Sequence, residues 1–168
     1  FTTSVSQASD IEIYQQAKSG QITLLFMIDV SGSMDEKDGG STTRLSRVKT
    51  AMTDLLSGNV SKKIDKIGDD KIIGLSTLGA LKWGSVNNSS SSTGAIIVPA
   101  RALGDKVDGE KTQRQILLEQ VDKLTATTAT PTGKSYLEGI SYMLGNYVSS
   151  ASEKYSRPET WTKISNTS

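Results

Sequence analysis

Ile22-Thr23-Leu24-Leu25-Phe26-Met27-Ile28-Asp29-Val30-Ser31-Gly32-Ser33-Met34 decides how this chain is read. Its first seven residues are mostly apolar and run directly into small oxygen-bearing side chains. Such a run predicts a strand buried on both faces, as in a parallel sheet covered by helices. In sheets of that kind, ligands bind in the crevice beyond the carboxyl ends of the strands. Asp29, Ser31 and Ser33 fall there. Their alternate spacing lets an open loop turn three oxygens toward one point, and Gly32 permits a tight backbone. One carboxylate and two hydroxyls are hard ligands, suited to a hard divalent cation that keeps several of its waters. The alternative is a glycine/serine turn after a strand, with Asp29 as an N-cap.

Downstream lies Asp35-Glu36-Lys37-Asp38-Gly39-Gly40, acidic and flexible. A second cation could bind Asp35, Glu36 and Asp38, although the spacing is not that of an EF-hand; a solvated loop is the alternative. A helix is expected over 45–56, because Leu45, Val48, Met52 and Leu55 recur at helical spacing. Arg44, Arg47 and Lys49 lie largely off that stripe and read as solvated charge. Ser57-Gly58-Asn59 is the stop signal. The next strand is expected over 71–78, and a third over 95–98, ended by Pro99. Between them, residues 79–93 carry the low-complexity tract Asn87-Asn88-Ser89-Ser90-Ser91-Ser92, which cannot bury a core. Residues 102–109 read as a turn-rich connection, and 112–124 as a second helix with Leu117, Leu118, Val121 and Leu124 on its buried side.

The second informative stretch is Thr125-Ala126-Thr127-Thr128-Ala129-Thr130-Pro131-Thr132-Gly133, a loop of small residues before a third helix. That helix is expected to bury Tyr136, Leu137, Ile140, Met143, Leu144, Tyr147 and Val148, with Thr132 or Ser135 as N-cap. A helix N-terminus beside a threonine-rich loop is a natural place for oxygen ligands and anions. Upstream, residues 1–20 read as an N-terminal arm, with polar/apolar alternation over 10–14 suggesting a short edge element.

The 168 residues suffice for one domain with a sizeable core. A net charge of +1 gives no strong field toward nucleic acid or an anionic membrane. With no cysteine and no histidine, disulfides, thiolate chemistry, the usual zinc sites and Ser-His-Asp catalysis are excluded within this segment. No apolar stretch approaches the roughly 20 residues that span a bilayer. The chain starts at Phe1 without a signal peptide, and a processed or excised piece is expected. No carboxylate pairs with Asp29 as a general acid and base would, so turnover is not expected.

Asp29-Val30-Ser31-Gly32-Ser33 resembles the D-x-S-x-S signature of von Willebrand factor A domains, whose metal-ion-dependent adhesion site holds a divalent metal. The resemblance implies an α/β, Rossmann-like fold over 21–168, with a central, mostly parallel sheet flanked by helices. It also implies a further oxygen ligand from a G-G-T-P-like loop. Thr128-Ala129-Thr130-Pro131 matches that loop with its two glycines replaced, making Thr130 the ligand and Thr132 the fallback. The implied cofactor is a divalent cation, Mg²⁺ first, with Mn²⁺ or Ca²⁺ as alternatives. The final acidic ligand of such domains, from a T-D-G-like loop, has no counterpart in 149–168, so the fold is expected to be incomplete at its C-terminal end.

Several further stretches, among them Ile73-Gly74-Leu75-Ser76-Thr77, Val98-Pro99-Ala100-Arg101 and Thr130-Pro131-Thr132-Gly133-Lys134, resemble the amino-terminal region of the PilC/PilY family. These are large secreted proteins of bacterial type IV pili. The resemblance implies an extracellular location at the pilus tip or bacterial surface. It implies adhesion to a host cell-surface or matrix protein, with pilus subunits and a carboxyl-terminal β-propeller of the parent protein as further partners. A mechanical, assembly or surface-sensing module with a structural metal site is the alternative.

Overall fold

The computed structural model describes residues 22–79, 94–126 and 129–146. The arm over 1–20, the edge element at 10–14, the serine-rich tract, Tyr147, Val148 and the stretch 149–168 lie outside the described residues.

The chain is an α/β protein. Strand β1 (Thr23–Ile28) leads through a 3-10 turn (Gly32–Asp35) to helix α1 (Arg44–Ser57). Strands β2 (Ile72–Thr77) and β3 (Ala95–Ala102) follow, then the small hairpin β4 (Lys106–Asp108) and β5 (Lys111–Thr112). Helices α2 (Gln113–Lys123) and α3 (Thr132–Met143) close the described chain. The main sheet has the order β1-β2-β3, with β1 parallel to β2 and β3 antiparallel to it.

Local chemistry sets the helix ends. The Thr43 hydroxyl accepts from the Ser46 amide at 3.1 Å and starts α1. Gly58, at φ 78°, ends it in a conformation that side chains rarely adopt. Thr112 and Gln115 form a capping box at the start of α2. At the other end of α2, the Lys49 ammonium donates to the carbonyls of Asp122 and Leu124, a cation on the negative end of the helix dipole.

Alternation along the strands divides the core. Ile28, Ile73 and Leu75 pack with Leu45 and Leu56 of α1 and Leu117 and Val121 of α2 on one face. Leu56, Leu75 and Leu117 are fully buried, each worth about 1.5–3 kcal/mol of transfer free energy. On the other face Ile96 and Tyr142 pack with Leu25 and Ala100. There the contact surface of α3 is Ser135, Gly139 and Tyr142, one residue per turn. A Cβ on Gly139 would stand 2.8 Å from Met27 Cε, so any larger residue there would have to displace the Met27 side chain.

Four expectations need correction. First, β1 is not buried on both faces: Thr23 and Leu24 are exposed, Leu25 to Met27 are half-buried, and only Ile28 is buried. Its sole strand partner among the described residues is β2, which is the buried centre of the sheet. Second, β3 does not stop at Pro99 but runs to Ala102. The β2–β3 register is irregular between Ile73 and Leu75, and the fully buried Gln113 fills the gap in the ladder. Its Nε2 donates to the carbonyls of Ile73 (2.9 Å) and Pro99 (2.8 Å). Third, the 102–109 connection contains β4, half of a hairpin with β5.

The fourth correction concerns α3, which turns its apolar stripe outward. Tyr136, Leu137, Ile140, Met143 and Leu144 are exposed, because the smaller face of the helix is the one that fits against β1 and β3. Neither Thr132 nor Ser135 caps it; Pro131 occupies the N-cap position, with no side-chain bond.

Candidate metal-binding loop

Beyond Ile28 the chain leaves the sheet at half-buried Asp29 and anchors itself with Val30, which is fully buried. The backbone then turns sharply. Asp29 Oδ1 accepts from the Ser31 amide at 2.8 Å, and the Met34 amide donates to the Ser31 carbonyl at 2.9 Å. Met34 packs against the core and holds the far side of the turn. This geometry brings Ser31 Oγ and Ser33 Oγ to 3.1 Å from one another, with Ser31 buried and Ser33 exposed. The two hydroxyls read from D-x-S-x-S are therefore neighbours at the carboxyl end of β1, with the Asp29 carboxylate on the Ser31 amide beside them.

The donor set suits a small divalent cation. Ligands at 2.0–2.1 Å in an octahedron stand about 3 Å apart along an edge. The hydroxyl pair has that spacing. Asp29 Oδ2 makes no hydrogen bond among the described residues. Asp29 is the one carboxylate of the set, and among the described residues no three acidic side chains converge on a point.

Thr130 reaches the same end of the sheet through a relay. The Leu78 amide donates to the Ile28 carbonyl at 2.9 Å, tying the exit of β2 to the exit of β1. The Leu78 carbonyl in turn accepts from the hydroxyl of Ser135, which is buried in the first turn of α3 and also contacts the Pro131 carbonyl at 2.9 Å. The segment carrying Thr130 is thus held at the carboxyl ends of β1 and β2. Thr130 is exposed, and its carbonyl accepts from the Thr132 amide at 2.8 Å. Among the described residues its hydroxyl makes no hydrogen bond to Asp29, Ser31 or Ser33. Thr132 donates its hydroxyl to the Thr130 carbonyl at 3.5 Å.

The acidic loop diverges. Asp35 lines a cleft of about 670 Å³ between α1 and the end of α2, together with Lys49 and Asp122. Glu36 pairs with Arg44 at 3.0 Å, and Asp38 pairs with both Arg44 and Arg47, the latter at 2.7 Å. The hydrogen bonds from Arg44 and Arg47 hold the Asp38 carboxyl down at about 2. Two of the three carboxylates offered for a second cation are engaged by guanidinium groups.

Arg44 and Ser135 are the residues whose parts the sequence hid. Arg44 read as solvated charge, yet a cation in the first turn of a helix opposes the dipole and calls for acidic partners. Asp38, six residues upstream, was the available signal. Ser135 read as a cap, and nothing in its spacing announces a tether to β2.

Compared with protein-family models, with curated proteins and with solved structures, the chain matches none of them.

Proposed function

We propose that this chain is a von Willebrand factor A-like adhesion domain of the PilC/PilY type, which holds a divalent cation at Asp29, Ser31, Ser33 and Thr130. The observation that carries the reading is the 3.1 Å hydroxyl pair beside Asp29 at the carboxyl end of a strand. Its support from the fold is the parallel β1–β2 pair with helices on both faces. Asp29 supplies the charge, directly or through water, and the hydroxyls of Ser31, Ser33 and Thr130 supply neutral oxygens. A cation so held, Mg²⁺ first and Mn²⁺ or Ca²⁺ next, offers an open position to a carboxylate of a host or matrix protein. With one carboxylate among its ligands the site keeps net positive charge, which favours an acidic partner group. The reading is of a binding module at the bacterial surface, not of an enzyme. None of the described helices is long and apolar enough to cross a membrane.

The test is cation-dependent adhesion. Asp29→Ala abolishes Mg²⁺ and Mn²⁺ binding by calorimetry and abolishes chelator-sensitive adhesion, while circular dichroism stays that of the parent. Full-strength binding of the partner by Asp29→Ala in chelator refutes the metal mechanism.

A further inference from the structure

We infer that Arg44 is the positioning residue of the oxygen loop, fixing the Ser33 carbonyl and through it the hydroxyl pair. For its ligand this rests on the cation reading proposed above. Ser33 is exposed, and packing does not hold it. Two bonds fix its carbonyl: the Glu36 amide at 3.2 Å and Arg44 Nη1 at 3.1 Å. The same Nη1 lies 3.0 Å from Glu36 Oε2, and Arg44 Nε donates to both Asp38 oxygens at 2.9 Å. The Arg44 amide closes the loop on the Glu36 carbonyl at 2.9 Å. One planar fork thus joins the turn that carries Ser33, the acidic loop and the start of α1.

The charges fit the same role. An unpaired guanidinium this near the loop would repel a cation. Glu36 and Asp38 offset Arg44 and Arg47, so the arginine organises the loop while its field is cancelled locally. A lysine keeps the charge but offers a single ammonium point, which cannot bridge a carbonyl and two carboxylates at fixed angles.

The experiment uses the metal-stripped full chain with Arg44→Ala, Arg44→Lys and Arg47→Ala. Mn²⁺ affinity is read by electron paramagnetic resonance, and amide exchange of Met34 and Glu36 is read without cation. Arg44→Ala weakens Mn²⁺ about tenfold or more, the usual scale for losing a ligand-orienting partner. Arg44→Lys does not restore it. Arg47→Ala, which loses Asp38 but touches nothing at Ser33, leaves it unchanged. Exchange at Met34 and Glu36 quickens in Arg44→Ala, while Leu117 and Val121 keep their protection. Equal Mn²⁺ affinity in Arg44→Ala and the parent overturns the inference, as does full rescue by lysine or a loss of protection spread through the core. If the parent takes up no Mn²⁺, the cation reading fails by itself. Amide exchange then decides the positioning role alone, and unchanged rates in Arg44→Ala overturn it.

Discussion

Removing the Ser135 hydroxyl tests whether α3 is fastened to the sheet at the end where the oxygen loop lies. Ser135→Ala deletes the donor to the Leu78 carbonyl and changes almost nothing in volume. The Pro131 carbonyl keeps the Ser135 amide at 2.9 Å, so Leu78 is the group deprived of a partner. Depriving a part-buried carbonyl of its donor costs about 1–3 kcal/mol. The better helix propensity of alanine returns up to about 0.5 kcal/mol, which leaves a net loss of about 0.5–2.5 kcal/mol. For a chain of this size that lowers the thermal midpoint by roughly 1–10 °C. Urea denaturation with an unchanged slope measures the free energy. Mn²⁺ titration of Ser135→Ala, Thr130→Ala and the double variant measures the link to the site. If the tether acts by placing Thr130, the double variant binds Mn²⁺ no more weakly than Thr130→Ala alone. A stability change below about 0.5 kcal/mol refutes the tether, since that is the range of substitutions which touch nothing important. Additive losses of affinity refute its action through Thr130.

Two further predictions concern stability. Asp38 is lowered from its ordinary 3.8 to about 2 by Arg44 and Arg47. Its contribution is therefore present above pH 4 or so and is lost as pH falls toward about 2. Urea midpoints across that window fall less steeply in Asp38→Asn than in the parent; parallel curves refute the ion-pair account. Gln113→Leu withdraws one buried amide from two carbonyls, those of Ile73 and Pro99, and costs about 2–4 kcal/mol. A parent-like denaturation midpoint shows instead that water or another donor reaches them.

Much of the fold was legible because local and tertiary preferences agree. In α1 the apolar spacing and Gly58 point to one helix, and the structure puts its ends at Arg44 and Ser57. In α2 the apolar spacing of Leu117, Val121 and Leu124 marked the helix, which the structure runs from Gln113 to Lys123. After β1 the switch from apolar to small residues marked the end of the strand, and the chain makes a turn there over Gly32–Asp35.

The failures share a cause, which is that composition does not say which face a partner will choose. α3 carries a wide apolar stripe, yet it packs through Ser135, Gly139 and Tyr142, a face of mostly small residues. Pro99 reads as a strand breaker, yet its missing N–H costs little where the ladder is already irregular and Gln113 supplies a donor from outside. β1 is as apolar as a central strand, but its place in the sheet depends on which strands flank it, and no residue within 22–34 encodes that. Arg44 needed knowledge of how the chain through Gly39 and Gly40 brings it back onto Asp38.

The parallel pairing of β1 with β2 has a kinetic consequence. Thr23 pairs with Ile72 and Ile28 with Thr77, so every rung closes the same loop of roughly fifty residues. The short β4–β5 hairpin can close early but brings neither of these strands together. Contacts within α1 can form early, whereas the β1–β2 ladder and the Leu78 relay built on it must wait for a long closure. The Ser31–Ser33 pair can turn locally at any time, whereas the segment that carries Thr130 is joined to this end of the sheet only through the Leu78 relay. Cation binding would then report completed folding rather than initiate it, and an ion present during refolding would slow unfolding far more than it hastens assembly.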